Sequence, residues 1–479
     1  MDRIVIVGGG LSGTLVAIRL LRARRPLHIR VVEPQARLGP GLPYSTPYAG
    51  HLMNVPSGRL SLVDNDPKHF AQWLQHNYDA AATDYCFAPR RVYGRYISSV
   101  LEAAWDQRCT GARFEHVRAE AEALVKDSSQ IRLHLRGGST IEADAAILAL
   151  GNPPSTEQAI PAIRDSLFRS SPHYFRSAWD LAAMSGFDAE APVLLVGSGL
   201  TAVDAVIGLH ELGHRGLIHA VSRRGLLPHS HSTEALPPGV EGGVEPSPSL
   251  RELCSNVRWQ IRRAESRGED WRSVIDGLRS CTRRLWQGLP CAERRRFLRH
   301  VRPYWDVHRH RMAPEAAAFI SGQLQQQRLK VHAGRIRSIQ DTPDGARVEI
   351  SLRRASGELL LAVHRVINCT GPDCDYRTWS TPFVRNLFAQ GMVQAGPMGL
   401  GLLTTEDGEL INAQGEVANN VFTLGPARIG REWETTAVEE IRLQSAALCT
   451  RLLGGRQSNA PWCEATAAPD TGRHTVLVS

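Results

Sequence analysis

The 479 residues exceed what one compact core organises, which predicts two domains and leaves room for a third. Hydrophobic residues make up 42% and charged residues 22%, with a mean hydropathy of −0.23, a balance that excludes fibrous and disordered classes. Lys and Arg (56) outnumber Asp and Glu (48), a formal net charge of +8. Most of this excess is arginine, concentrated in patches such as Arg294–Arg299 and Arg302–Arg311. Such patches suit a solvated helical face, or the phosphates and carboxylates of small ligands; no nucleic-acid-binding motif accompanies them. No apolar run approaches the roughly 18 residues of a membrane span, and the chain enters an apolar strand directly after Met1, Asp2 and Arg3. The nine cysteines are odd in number and lack C-x-x-C or paired metal spacing, so reduced thiols in a cytoplasm are expected.

In chain order, Arg3–Val7 (RIVIV) is a strand pattern buried on both faces, followed at once by GGGLSG. Gly8, Gly10 and Gly13 satisfy G-x-G-x-x-G, and Thr14–Leu21 continues as an apolar helix, the strand, turn and helix order of a dinucleotide-binding loop. Gly8 permits the tight turn, Gly10 lets a pyrophosphate approach the backbone, and Gly13 lets the helix pack on the strand. The amides around Leu11 and Ser12 at the helix start face the phosphates with the positive end of the dipole. A second strand, His28–Val32, ends at Glu33, whose carboxylate can accept bonds from a ribose diol.

The same grammar restarts at Pro192. Val193–Val196 is a buried strand, Gly197, Gly199 and Ala202 form the loop with Ser198, Leu200 and Thr201, and Val203–Leu209 continues the helix. After the strand Ile218–Val221 no acid follows; Ser222, Arg223 and Arg224 stand there instead. A guanidinium pairs with a 2′-phosphate that an acid would repel, so this loop should prefer NADPH to NADH.

Each loop is followed by a hairpin pattern and a returning strand. In the first half these are Ile131–Leu135, a Gly137-Gly138 turn, Thr140-Ile141, then Ala145–Leu150 closed by Gly151. In the second they are Val348–Leu352, a turn near Ser356-Gly357, Leu359–Val363, then Arg365–Asn368 leading to Gly371. Residues 250–327 carry helical periodicity and many arginines, a helical insertion in the second half, with the Pro/Gly-rich Ala235–Pro248 as its mobile entrance. The predicted class is α/β, two Rossmann-like dinucleotide-binding domains with β-hairpin excursions and a helical insertion in the second. The boundaries are 1–160 for the first part of the first dinucleotide-binding domain, 190–365 for the second, and 366–479 for the return to the first.

These features together resemble the two-dinucleotide-binding-domain flavoproteins, which include flavin monooxygenases, N-hydroxylating monooxygenases and pyridine-nucleotide disulfide reductases. The segments RLGPGLPYSTPYAGHLMNVPSGRLSLVDNDPKHFAQWL, RPYWDVHRHRMAPE and FTLGPARIGREWETTAVEEIRLQ look more specifically like a bacterial branch of FAD-NAD(P)-binding proteins. Some relatives of that branch N-hydroxylate small amino acids. The resemblance implies FAD on the first loop and NADPH on the second. It places a flavin contact at Gly425-Pro426 and the following helix start, Thr436 and Ala437, and puts Asn54, Val55 and Pro56 beside the reacting ring. Asn54 could hydrogen-bond the oxygenated flavin, or merely cap a turn. The F-x-G-x-x-x-H signature of related monooxygenases is degenerate here: Phe168 is present, Ser170 replaces the glycine and His173 comes one position early.

The alternating pairs His229/His231 and His308/His310 lack acidic or cysteine partners, so no metal is expected. Arg309 and Arg311 could clamp a substrate carboxylate or the NADPH phosphates, or serve as ordinary ion-paired residues. The expected function is therefore an FAD- and NADPH-dependent monooxygenase that oxygenates a small amine or amino acid with O2 through a flavin hydroperoxide. The rival readings are a reductase passing electrons to a quinone or protein partner, and a flavin-binding regulator. Neither a nucleic-acid nor a membrane partner is expected, and the sequence leaves the oligomeric state open.

Overall fold

A computed structural model of the chain describes residues 2–127, 130–233, 243–353 and 357–454. Most of Ala235–Pro248, Ser356, Cys463 and the rest of the C-terminal segment beyond 454 lie outside the described residues. The chain divides into two compact units: Met1–Pro47, Val55–Pro153 and Cys374–Ser479 form the first, Tyr48–Asn54 and Pro154–Asp373 the second.

The first unit opens with β1 (Arg3–Val7), α1 (Leu11–Arg22) and β2 (His28–Val32). Five apolar residues at helical spacing, Leu15, Val16, Ile18, Leu20 and Leu21, are fully buried along α1, the consequence of a helix that is covered on nearly all sides. After α2 (Gly41–Tyr44), α3 (His69–Asn77) and α4 (Arg90–Asp106) come β3 (Arg113–Val117) and an antiparallel sheet of β4 (Ala121–Lys126), β5 (Ile131–Leu135) and β6 (Thr140–Ala143). The returning strand is β7 (Ala145–Leu148), buried throughout.

In the second unit α5 (Pro161–Arg164) and β8 (Tyr174–Phe175) precede β9 (Val193–Val196), α6 (Leu200–Glu211) and β10 (Ile218–Ser222). The insertion is broken among the described residues into α7 (Leu250–Glu265), α8 (Trp271–Gly277), α9 (Thr282–Gly288), α10 (Cys291–Arg296), α11 (Arg302–Arg309) and α12 (Pro314–Gln325), with a π-helical turn at Phe297–Val301. The breaks fall where the sequence offers them: Gly268 has a φ of +76°, and Pro290 directly precedes α10.

Then follow β11 (Leu329–Thr342), β12 (Gly345–Leu352), β13 (Glu358–Val363) and β14 (Arg365–Asn368). The chain completes the first unit with α13 (Pro382–Ala389), β15 (Glu409–Ile411), β16 (Val417–Thr423), α14 (Ile429–Glu432) and α15 (Val438–Leu452).

The first main sheet has the order β15-β16-β7-β1-β2-β3, parallel except for β15. The second has the order β13-β12-β11-β10-β9-β14-β8. Its first half is an antiparallel excursion fused to the parallel sheet, because β11 pairs with β10 over Leu329–Ala333 and with β12 over Gly334–Thr342. The α/β architecture with two Rossmann-like units, hairpin excursions and a helical insertion in the second agrees with the sequence expectation. Among the described residues no helix is long and apolar enough to cross a membrane.

Candidate cofactor and substrate sites

In both units the loop sits where β1 or β9 ends between two parallel neighbours, so its backbone is fixed from either side. Gly8 N–H donates to the Val32 carbonyl (2.9 Å) and Gly197 N–H to that of Val221 (2.8 Å). Gly8 (φ +101°) and Gly197 (φ +124°) are both in the left-handed region, and a Cβ on either would lie 2.3 Å from a carbonyl oxygen of the returning strand's end, Ala149 or Cys369. Glycine is required there by conformation and by contact. By contrast, a Cβ on Gly10 would come no closer than 3.6 Å to protein, and one on Gly199 would meet nothing within 4 Å. The protein itself does not require those two glycines, and the space they leave is that of a ligand approaching the backbone, which fits a dinucleotide pyrophosphate. The first-turn amides of α1 (Leu11, Ser12, Gly13) and α6 (Leu200, Thr201) lie beside that space, at the helix ends where amides lack intrahelical partners.

The loops differ at the end of the second strand. In the first, the Glu33 carboxylate accepts from Gly9 N–H (2.8 Å) and from Gln35 N–H (3.0 Å), one bond per oxygen. Each oxygen keeps acceptor capacity for a ribose hydroxyl. Gly9, absent from the sequence reading, is needed for this: a Cβ there would lie 2.3 Å from Leu38 and 2.8 Å from Glu33. In the second loop Ser198 replaces that glycine and its hydroxyl bonds Ser222 Oγ (2.8 Å) and the Leu226 carbonyl (2.6 Å). Ser222 thus occupies the place of Glu33, and Arg223 and Arg224 follow. Arg224 donates to Tyr304 Oη (2.9 Å) and to the His300 carbonyl (3.2 Å).

At the return of the first unit, Gly151 has a φ of +73° with open space beside it, and its carbonyl accepts from Tyr376 Oη (2.6 Å). Gly425 (φ +71°) donates its N–H to Gln444 Oε1 (2.7 Å), so that amide is spent within the protein. Gln444 Nε2 donates to Glu432 (2.8 Å), and Glu432 pairs with buried Arg428, a network invisible to motif reading. Thr436 and Ala437 immediately precede α15, with Ala437 at its N-cap position. Next to them the Thr435 hydroxyl, fully buried, has no hydrogen-bond partner among the described residues, and Trp433 is held at φ +65°. A strained aromatic and an orphaned hydroxyl at the start of a long helix fit a site that a bound group completes. Val55 lies in the first unit, at a bend just before the short 3-10 turn Ser57–Arg59, where Ser57 N–H bonds the Cys86 carbonyl (2.9 Å).

Asn54 belongs to the second unit, where its carbonyl accepts from His231 Nε2 (2.9 Å). Residues 229–231 zip onto the end of α11: His229 N–H bonds the Val307 carbonyl (3.0 Å), Met312 N–H the His229 carbonyl (2.8 Å), and His231 N–H the Met312 carbonyl (2.9 Å). This links Asn54 to the arginine cluster, residues some 250 positions apart in sequence. Arg311, 1% exposed, pairs with Asp276, while its Nε and Nη1 are buried with no partner among the described residues. Arg309 lies 3.9 Å from the same carboxylate.

Burial lowers the Arg311 pKa from its ordinary value, and Asp276 opposes the shift. Asp276 thus lies beside both guanidiniums. His229 and His308 join this cluster as rings: His229 meets His308 at a tilt (4.5 Å between ring centres) and Trp271 edge-on (5.3 Å). Burial, then the charges of His308, Arg272 and Arg311, lower the His229 pKa and favour the neutral ring. Among the described residues no group of three or more metal-ligating side chains is present. Phe168 is a core residue, and burial pushes the Cys369 thiol pKa up.

The family described as FAD-NAD(P)-binding matches residues 5–153. An uncharacterized protein of Escherichia coli (strain K12), YdhS, is 24% identical over 267 residues, covering 48% of this chain; the chain spans about half the length of that curated relative. Among solved structures, L-lysine 6-monooxygenase from Pseudomonas syringae has a TM-score of 0.63 at 18% identity, covering 95% of this chain and 99% of that one. The ornithine N-hydroxylase of Kutzneria sp. 744, with reduced FAD, NADP+ and L-ornithine, has a TM-score of 0.61 at 12% identity, covering 94% and 98%. The bacillithiol disulfide reductase of Bacillus cereus has the same fold at a TM-score of 0.52 and 15% identity, covering 95% and 99%. The chain therefore shares the two-domain fold of these solved structures, and its residues 5–153 match the FAD-NAD(P)-binding family.

Proposed function

We propose that the chain is an FAD- and NADPH-dependent monooxygenase that N-hydroxylates a small amine or amino acid bearing a carboxylate. The observation that carries the cofactor assignment is the pair of glycine loops with the same backbone bonds and opposite chemistry at the second strand's end: Glu33 with two amide donors against Ser222, Arg223 and Arg224. FAD, when bound, supplies hydride acceptance and dioxygen activation. The protein's own groups have simpler tasks. Gly8 and Gly13 set the tight turn and the close helix packing, Gly10 clears room for FAD, the α1 amides would face its pyrophosphate and Glu33 its ribose, and Gly151, Gly425, Thr436, Ala437 and Val55 border it. Gly197, Ser198, Gly199, Leu200 and Thr201 do the same for NADPH.

The substrate assignment is supported by the adjoining guanidiniums of Arg309 and Arg311 and by two buried Arg311 N–H donors that a carboxylate would satisfy. The Asn54 carboxamide would supply a hydrogen-bonding group that does not titrate. Loss of such a donor costs about 2–4 kcal/mol in the transition state. Asn54→Ala should therefore retain FAD and reduction by NADPH, yet release more hydrogen peroxide and less hydroxylated product. Arg309→Ala should raise KM most for carboxylate-bearing amines.

The deciding experiment supplies NADPH and O2 with a panel of amino acids and simple amines and measures hydroxylated product. No product and no stimulated NADPH oxidation, alongside rapid turnover with a quinone or protein acceptor, would replace this reading with the reductase.

A further inference from the structure

Four guanidiniums converge at the end of β10, and only two of them follow the glycine-loop motif. Arg223 stands directly after Ser222, which is paired in register with Ala333 of β11; Arg335 lies two residues beyond Ala333 on that neighbouring strand. The turn after Arg224 crosses β11 closely, since a Cβ on Gly225 would sit 3.0 Å from Ala333. From the other side, α11 brings Arg302 at its first turn. Partial desolvation, then the charges of Arg335, Arg302 and Arg224 in that order, hold the Arg223 guanidinium below its ordinary pKa, so all three lie close enough to repel it.

The four do not have the same freedom. Arg302 is paired with Asp306 at 3.4 Å, and Arg224 is committed to the insertion by its bonds to Tyr304 and His300, with its guanidinium 4.7 Å from the Tyr304 ring centre. Among the described residues no carboxylate forms an ion pair with Arg223, Arg224 or Arg335. Like charges gathered without acids are unfavourable unless a polyanion joins them. A phosphate dianion with three acceptor oxygens suits such a basin.

Resting on the reading that the second unit takes NADPH, we propose that the 2′-phosphate is read by Arg223 together with Arg335 from β11 and Arg302 from α11. In this arrangement Arg224 is a positioning residue, tying the helical insertion to the loop through Tyr304. Two of the three readers thus come from outside the motif, and nucleotide specificity depends on the insertion being docked.

The test uses the full FAD-loaded chain and calorimetric titration with 2′,5′-ADP and 5′-AMP, probes that differ at the 2′-phosphate and need no turnover. The wild type should bind 2′,5′-ADP more tightly. Arg335→Ala should weaken 2′,5′-ADP by about tenfold or more, the scale of a charge-assisted hydrogen bond, and leave 5′-AMP unchanged. Tyr304→Phe and Arg224→Ala should each weaken 2′,5′-ADP selectively and non-additively when combined, because both break one strut. Unchanged 2′,5′-ADP binding in Arg335→Ala, with a selective loss in Arg223→Ala, would overturn the basin while sparing the NADPH reading. An equal loss of both ligands in Arg335→Ala would assign that residue to the fold and also overturn it. A wild type with no preference for 2′,5′-ADP would overturn the NADPH reading itself.

Discussion

The two glycine loops share a backbone and differ in what surrounds it. Both hold their first glycine against the returning strand with a hypothetical Cβ 2.3 Å from a carbonyl oxygen, yet their third positions diverge: Gly13 in one, Ala202 in the other. A Cβ on Gly13 would lie 1.9 Å from the Gly8 carbonyl oxygen, whereas Ala202 carries its methyl in a well-packed, buried place. The first helix therefore sits closer to its loop than the second does. The second difference is electrostatic. A carboxylate buttressed by two amides ends β2, while a serine pair and then arginines end β10. One backbone solution thus carries opposite side-chain chemistry at the end of the second strand.

The sharpest way to break this comparison is the third position. Gly13→Ala should cost about 3 kcal/mol or more, because backbone must move to admit the methyl, and purified protein should carry little FAD. The mirror change Ala202→Gly should cost only about 1 kcal/mol, the helix propensity difference. Chemical denaturation with cofactor quantitation checks both, and equal effects would remove the distinction between the loops.

Next in size, replacing both Arg223 and Arg224 by Ser should weaken NADPH by about 1.5–3 kcal/mol while NADH kinetics change little. The ratio of kcat/KM for flavin reduction by the two nucleotides reads this directly. Glu33→Gln keeps a carbonyl acceptor but loses the charge, so a smaller loss of about 1 kcal/mol in FAD affinity is expected from titration of the apoprotein.

A further difference concerns pH. The cross-strand neighbours at corresponding places in the second strands are Arg30 with Glu115 in the first unit (3.0 Å) and His219 with His332 in the second (2.9 Å). Burial, then His332 and Lys330, lower the His219 pKa to about 4. Between the ordinary value of 6.5 and about 4 the unfolded chain binds a proton that the folded one refuses. Stability contributed by this site is thus complete above pH 6.5 and declines as pH falls toward 4. Melting curves across that window should show the decline, and His219→Gln should flatten it. An unchanged slope in that variant would assign the acid loss to other groups.

Local requirements explain why the two loops and their flanking strands were legible from residues alone. A left-handed glycine, a strand buried on both faces and a helix starting at once leave a signature within about 20 residues. The half-exposed strands left none. RFEHV of β3 and AEALVK of β4 alternate weakly, and LKVHAGRIRSIQDT of β11 changes partners midway, so neither a continuous apolar run nor a clean alternation marks them. The insertion was legible as helix, but its breaks and its π-helical turn depend on packing.

The sequence by itself determined where the chain must turn tightly, which positions admit no side chain, and that the two second strands end in opposite charge. These follow from covalent geometry and residue chemistry within one βαβ unit. Only the tertiary structure decided which distant groups meet. Gln444 takes the Gly425 amide, Asp276 sits between Arg309 and Arg311, His231 holds Asn54, and Tyr304 fastens Arg224. These contacts join residues from 19 to 177 positions apart, set by how helices and strands close on one another, and no spacing along the chain encodes them.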